Sequence, residues 1–467
     1  MERLTPLAAA FLDSEDEEPT TSMAIGSLAV FAGPAPAFTD FVRHIEGRLP
    51  AVPRYRQTLR TVPLDLAAPA WVDDAAFDVR WHIRHTALPA PGGREQVGQL
   101  VSRVMSRRMD RSRPLWEYWF IEGLADGRWA LLSKLHHSMA DGVSGTDIYH
   151  HVLDPTPEPR PPVPDTWTPA PAASPLSFAA DAGWDLARTP VTAAAATVRA
   201  LASPRQLVRQ AAEAARGLIT MSAALRPVDA SSLLGPLDGS LRYAWAQVSL
   251  DDIRAVRRGL GGTVNDVALA AVTGGFRQLL LSRSEEPTPH MLRSMVPVST
   301  RQPGAEGVPD NRVSMMFLCL PVDLAEPEGW LRTVQERGRT HRDTGEPQAG
   351  AAMSTLAAYE PFLPVSIGMR LGFRFPQRSV STVTTNVPGP RATLYGLGRE
   401  LEEILPFVPI ANRVRVSVAI FSYRDTVTFG ITGDYSSVPD IQVLARGISE
   451  SMAALVDAAG RPVEVAT

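Results

Sequence analysis

The densest run of residues able to do chemistry is Leu135-His136-His137-Ser138-Met139-Ala140-Asp141-Gly142, where an apolar, strand-like segment ends in two histidines and a turn-forming Asp-Gly pair. An imidazole titrating near neutral pH is the side chain best matched to taking a proton from an alcohol as it attacks an activated acyl carbon, a contribution of about 10² to 10⁴ in rate. One such ring suffices. Neighbouring strand residues point to opposite faces, so a strand that reached the turn would keep His136 and His137 out of a common cleft. The pattern alone also fits structural hydrogen bonding or simple exposure, the commoner roles of a histidine pair at a strand end. Asp141 has ordinary work available too, because Asp-Gly is a frequent turn and the carboxylate can cap a helix beginning near Gly142. Metal ligation by His136, His137 and Asp141 is the weaker reading, since adjacent strand residues diverge and no third convergent ligand accompanies them. No metal is expected.

Two further segments carry amides and hydroxyls. Thr263 and Asp266 are spaced as a capping box at the start of a helix over 264–281, which makes Asp266 a cap rather than a catalyst. Asn265 is not needed for that cap, and its amide at the helix N-terminus is placed to donate to developing negative charge or to position an acceptor. Asn386-Val387-Pro388-Gly389-Pro390 follows a strand bearing Ser381, Thr382, Thr384 and Thr385. One of those hydroxyls can serve an oxyanion, and a rigid turn between strands explains the same residues equally well. Trp116 after Pro114 reads as a packing anchor, and the single cysteine, Cys319, as a buried thiol in an apolar run.

These groups need elements to hold them. Helical patterns over 38–49 and 95–109 alternate with strand-like runs over 26–31 and 130–137. Nine prolines crowd into 154–175, denying helix and sheet their backbone donors, so the segment reads as a linker. An alanine-rich stretch follows, with Ser203-Pro204 opening a helix to about 225 whose Arg205, Arg209 and Arg216 share one side. A solvated face is the ordinary explanation of that side and an anionic membrane the alternative. Strands over 242–250, 291–297, 312–322, 379–387, 413–422 and 426–432 then interleave with helices over 264–281, 328–342 and 440–459. The expected organisation is an N-terminal lobe over 1–153, the linker at 154–175, a helical connector at 176–226 and a C-terminal lobe over 227–467.

A chain of 467 residues exceeds one compact core. With 46 Lys plus Arg against 50 Asp plus Glu, it lacks the broad basic field of a nucleic-acid binder, and no nucleic-acid partner is expected. One cysteine excludes an intramolecular disulfide. The N-terminus lacks the basic start and long apolar core of a secretory signal, and no stretch of about 18 apolar residues occurs, so any membrane association is expected to be peripheral.

His136-His137-Ser138-Met139-Ala140-Asp141-Gly142 resembles the HHxxxDG signature of the wax ester synthase/acyl-CoA:diacylglycerol acyltransferase family, which is related to CoA-dependent acyltransferases and nonribosomal peptide condensation domains. Further segments resemble the lipid-acyltransferase branch in the same order. They are Phe77-Asp78 with His82 and Arg84, Leu88-Pro89 and Pro91-Gly92, Arg113-Pro114-Leu115-Trp116-Glu117, Gly262 to Val267, Val296 to Ser299, Asp310 to Ser314, and Thr385 to Pro390. The resemblance covers nearly the whole chain. Ala24 in Met23-Ala24-Ile25-Gly26, where a Met-His-Val-Gly-like string is common, and Leu234 in place of a frequent polar residue, depart from it.

The resemblance implies an α/β protein of two chloramphenicol-acetyltransferase-like lobes with a cleft or tunnel between them. It implies transfer of a long-chain acyl group from acyl-CoA, a co-substrate rather than a bound cofactor, to diacylglycerol or a fatty alcohol. His137 would be the general base, His136 its support, Asp141 with Gly142 the loop-ordering pair, and Asn265 the oxyanion or acceptor-positioning group. Thr384, Thr385 and Asn386 would bind substrate, and Arg54 or Arg56 would pair with Asp141. The expected location is cytoplasmic, peripheral at the inner membrane face or on lipid droplets. A condensation-type enzyme with a carrier-bound donor fits the signature but not the Pro-Leu-Trp and Asn-Val-Pro-Gly-Pro segments. An inactive lipid-binding relative fits poorly with intact His-His and Asp-Gly positions.

Overall fold

The computed structural model describes residues 2–62, 67–139, 147–171, 178, 180, 226–299, 313–343 and 376–460. Two mixed sheets organise them, each six-stranded among the described residues. The first contains β1 (Ala24–Phe31), β4 (Ile83–Ala87), β5 (Trp116–Glu122), β6 (Trp129–His136), β11 (Tyr395–Gly396) and β12 (Arg399–Phe407), in the order β11-β12-β1-β6-β5-β4. The second contains β7 (Leu241–Ser249), β8 (Arg293–Ser299), β9 (Val313–Cys319), β10 (Thr382–Val387), β13 (Val416–Tyr423) and β14 (Thr426–Asp434), in the order β7-β14-β13-β10-β8-β9. A hairpin of β2 (Gln57–Arg60) and β3 (Ala70–Asp73) stands apart.

The helices are α1 (Pro6–Glu17), α2 (Phe38–Glu46), α3 (Val79–His82), α4 (Arg94–Met105), α5 (Asp147–Val152), α6 (Leu250–Leu260), α7 (Val264–Ser282), α8 (Pro327–Asp343) and α9 (Ile441–Gly460). α7 and α9 bury apolar faces against the second sheet, and Val267, Leu269, Phe276, Leu444, Ile448 and Leu455 are all about fully enclosed there. In the first sheet β6 is buried along its whole length between β1 and β5, so its run Trp-Ala-Leu-Leu-Ser-Lys-Leu-His tolerates few polar groups and each needs a partner.

The first sheet is not built from the N-terminal half alone. β12, which the chain order puts in the C-terminal lobe, pairs antiparallel with β1 along Gly26–Phe31. The two lobes meet along it. The Tyr243 hydroxyl donates to the Pro406 carbonyl at 2.8 Å, and a Cβ on Gly430 would sit 1.8 Å from that same oxygen, so only glycine allows β14 to come so close to β12. Arg94 on α4 donates to the Trp245 carbonyl at 2.6 Å and lies over its ring.

The proline-rich segment carries no helix or strand over its described residues and is strapped to the first lobe by charge. Asp154, about fully buried, accepts from Arg48 at 2.8 Å and Arg160 at 2.9 Å, while Arg56 grips Asp165 with both terminal nitrogens. The expected helix over 204–225 lies outside the described residues. Among the described residues no helix is long and apolar enough to cross a membrane.

Candidate active site

β6 delivers the histidine pair. The His136 N–H donates to the Leu115 carbonyl and the His137 N–H to that of Met23, both at 3.0 Å, and the chain then turns through a single 3-10 turn, His137–Met139. His136 is 1% exposed. Its Nδ1 accepts the Ser138 N–H at 3.1 Å and lies 2.7 Å from Ser138 Oγ. A backbone N–H can only donate, so the ring proton is on Nε2, which faces Glu15 Oε1 at 3.4 Å. That separation is longer than a well-formed hydrogen bond. His137 is half-buried, and its ring stacks on Phe11 with centroids 3.8 Å apart. One ring is therefore locked into the structure, and the other retains contact with solvent.

Both contacts come from α1. Thr5 caps it, its hydroxyl accepting the Ala8 N–H at 3.2 Å, and Pro6 occupies the first turn. Phe11 and Glu15, four residues apart, lie on one face. Glu15 is 1% exposed; its Oε1 accepts the Met23 N–H at 2.7 Å and its Oε2 accepts from Arg111 at 2.9 Å. Burial alone would push this carboxyl up, but His136, the Met23 N–H and Arg111 outweigh it and hold it at about 2. Ala24 is fully buried and sits directly opposite His136 in the β1–β6 register, so the departure from the family string falls beside the histidine pair. On the same strand Lys134 is 1% exposed, and its ammonium bonds the carbonyls of Val104 and Arg107 at the end of α4 while burial lowers it to about 8.

A second cluster lies in the other lobe. α7 opens with the expected capping box: Asp266 N–H to Thr263 Oγ1 at 3.2 Å, and Thr263 N–H to Asp266 Oδ2 at 2.9 Å. That leaves Asn265 to another task. Its Oδ1 accepts from Asn386 Nδ2 at 2.9 Å across 121 residues of sequence, and both side chains line a cavity of about 460 Å³. Leu269, Met315, Met316, Leu318 and Val334 make much of that cavity apolar, and Arg391 and Arg424 also line it. With its carbonyl end tied, the Asn265 amide presents N–H groups, which suits an oxygen gathering negative charge. His137 is not among the residues lining this cavity.

The other anticipated residues fall out differently. Thr384 is fully buried and bonded to Ser294 Oγ at 2.9 Å; Ser381 and Thr382 spend their hydroxyls on the carbonyls of Met291 and Val416. Thr385 points to the opposite face of β10 and is half-buried. Arg54 pairs with Glu2 and Arg56 with Asp165, so each already has a carboxylate. Asp141 and Gly142 lie outside the described residues. Trp116 is fully buried, its indole N–H donating to the Tyr55 carbonyl at 2.8 Å, as a packing anchor should. Among the described residues no three His, Cys, Asp or Glu side chains gather as a metal site. Phe11, Glu15 and Arg111 were not singled out by motif reasoning. Thr5-Pro6, a cap followed by a first-turn proline, was the signal that a helix starts there.

Residues 4–268 match the family described as wax ester synthase/diacylglycerol acyltransferase catalytic domain, and residues 310–456 match the WS/DGAT C-terminal domain. The protein named probable diacylglycerol O-acyltransferase tgs1 of Mycobacterium tuberculosis H37Rv is 41% identical over 466 residues, covering 98% of this chain and 96% of the relative. The solved wax ester synthase/diacylglycerol acyltransferase of Marinobacter aquaeolei VT8 superposes with a TM-score of 0.66 at 27% identity, covering 98% of this chain and 100% of that one. The starter condensation domain of rhizomide synthetase, solved with C8-CoA, shares the two-lobed fold at a TM-score of 0.60 and 12% identity, over 98% of this chain and 94% of that one. The matched segments span both lobes and include the histidine pair and the Asn265 helix start, and the chain belongs to the wax ester synthase/diacylglycerol acyltransferase family.

Proposed function

We propose that this protein transfers a long-chain acyl group from acyl-CoA to the free hydroxyl of diacylglycerol, giving triacylglycerol and CoA, with His137 as general base. The observation that carries the assignment of the base is the division of labour in the pair. His136 is about fully buried with its Nδ1 accepting the Ser138 N–H, whereas the His137 ring is half-buried against Phe11 at the end of the same strand. His137 takes the hydroxyl proton, and the oxygen attacks the thioester carbonyl. The tetrahedral oxyanion collapses, and CoA leaves as a thiolate that takes the proton back. The Asn265 amide, oriented by Asn386, is the donor assigned to the oxyanion or to the incoming acceptor. The loop-ordering role that the HHxxxDG signature implies falls to Asp141 and Gly142, which lie outside the described residues.

A long-chain alcohol, giving a wax ester, is the second acceptor, because an apolar pocket separates chain lengths by only about 1 to 3 kcal/mol per methylene. Acceptor and product are lipids, so the enzyme works at a cytoplasmic membrane surface or lipid droplet. Trp81, 43% exposed and flanked by Arg84 and Arg113 over its ring, suits such an interface. The test is purified protein with one acyl-CoA and a panel of diacylglycerol, monoacylglycerol and fatty alcohols, scoring ester and free CoA. CoA release without ester, or activity only with a carrier-bound donor, overturns the reading.

A further inference from the structure

We propose that Glu15 is a positioning residue for acyl transfer, its carboxylate fixing the tautomer of His136 and, through it, the turn that aims His137. The inference rests on His137 as the base. Position 15 shares its helix face with Ala8, Phe11 and Leu12, and a carboxylate buried there is costly unless both oxygens are matched. Both are. Oε1 accepts the Met23 N–H and faces His136 Nε2, and Oε2 accepts from Arg111, which also holds Asp16 and the Leu12 carbonyl.

Two routes lead from this carboxylate to the base. Along the first, Glu15 keeps the proton of His136 on Nε2, which frees Nδ1 to accept the Ser138 N–H directly after His137. Along the second, Glu15 holds the N–H of Met23, whose carbonyl accepts the His137 N–H. Phe11, one turn earlier on the same helix, covers the His137 ring. The titratable groups facing Glu15 are His136, Arg111 and, on β6, Lys134. A glutamine at position 15 can keep the Met23 bond, but it then turns its NH₂ toward the Arg111 donors and removes the charge that faces His136.

The experiment uses the full chain with Glu15→Gln, His136→Gln and the double variant. It reads kcat, KM for acyl-CoA and for diacylglycerol, circular dichroism, and the His136 tautomer by ¹⁵N NMR of histidine-labelled protein. Each single variant should lower kcat by about 10- to 100-fold with KM unchanged, the range in which partners that orient an active histidine fall. The double should be no slower than the slower single, because both residues act through one chain of contacts. Glu15→Gln should convert His136 from the Nε2–H form to a mixture. A wild-type tautomer in folded Glu15→Gln, wild-type kcat, or losses that multiply in the double would overturn the proposal. Should Glu15→Gln fail to fold, His136→Gln alone decides, and undiminished kcat there overturns it too. Near-normal turnover in His137→Ala sinks the base assignment instead, and leaves the tautomer readout standing.

Discussion

Asn386→Ala removes the amide that ties the Asn265 carbonyl, and the structure says how much that should matter. Asn386 lines the same cavity and reaches Asn265 through one neutral hydrogen bond of 2.9 Å. Such a bond contributes about 0.5 to 1.5 kcal/mol net, so loosening Asn265 should slow turnover by about 2- to 13-fold. Asn265→Ala deletes the donor itself and should cost about 10² to 10³ in kcat. The capping box of Thr263 and Asp266 is intact in both variants, so melting temperatures should stay close to wild type. The double variant should be as slow as Asn265→Ala and no slower, since without Asn265 there is nothing left to orient. The assay is CoA release by thiol titration at saturating acyl-CoA with diacylglycerol in vesicles, beside circular dichroism. If Asn386→Ala is as slow as Asn265→Ala, or if the two losses multiply, Asn386 acts on substrate directly and the relay is refuted. A change confined to KM would point to uniform substrate binding.

His137→Ala should abolish nearly all ester formation with an unchanged circular dichroism spectrum; a folded variant turning over near the wild-type rate rejects the base. Gly26→Ala would place a Cβ 2.0 Å from the Ser133 carbonyl, so β1 and β6 must part, and chemical denaturation should show a loss on the order of 3 kcal/mol. A loss too small to measure would mean the strands separate freely. Glu15, held at about 2 instead of 4.5, has a depressed folded value, so its stabilisation is present above pH 4.5 and vanishes as pH falls through about 2. Roughly 3 kcal/mol is at stake, and the stability gap between wild type and Glu15→Gln should close between those pH values; a gap that ignores pH refutes the ion-pair account.

Periodicity located most of the second lobe to within a few residues, as with α7 at Val264–Ser282 against an expected 264–281, because long apolar runs bounded by caps need no distant partner to be recognised. α1 escaped notice. Its apolar run is short and its end is acidic, so Glu15 reads as solvated until His136 and Arg111, more than 90 residues away, are folded against it. β12 escaped for a related reason: Arg-Glu-Leu-Glu-Glu carries too much charge to read as a strand, and its partner β1 lies almost at the other end of the chain. Local rules singled out Asn265 and the histidine pair as candidates. Whether a hydroxyl on β10 faces a cavity or a neighbouring strand depends on register, and Thr384 proved to be spent on Ser294.

Because β12 closes the flank of β1, the N-terminal sheet waits for residues made late in synthesis. Until 399–407 leave the ribosome, β1 has only β6 beside it and presents an open row of backbone donors and acceptors. The histidine turn hangs from those same two strands, so it forms on a half-built sheet. Assembly is thus dominated by pairings between distant parts of the chain, which favours slow folding and exposure of a sticky edge while translation continues. Cutting the gene at the proline-rich segment would not yield two independent lobes: the first half would lack its closing strand, and the second would carry β12 with only the two-residue β11 beside it.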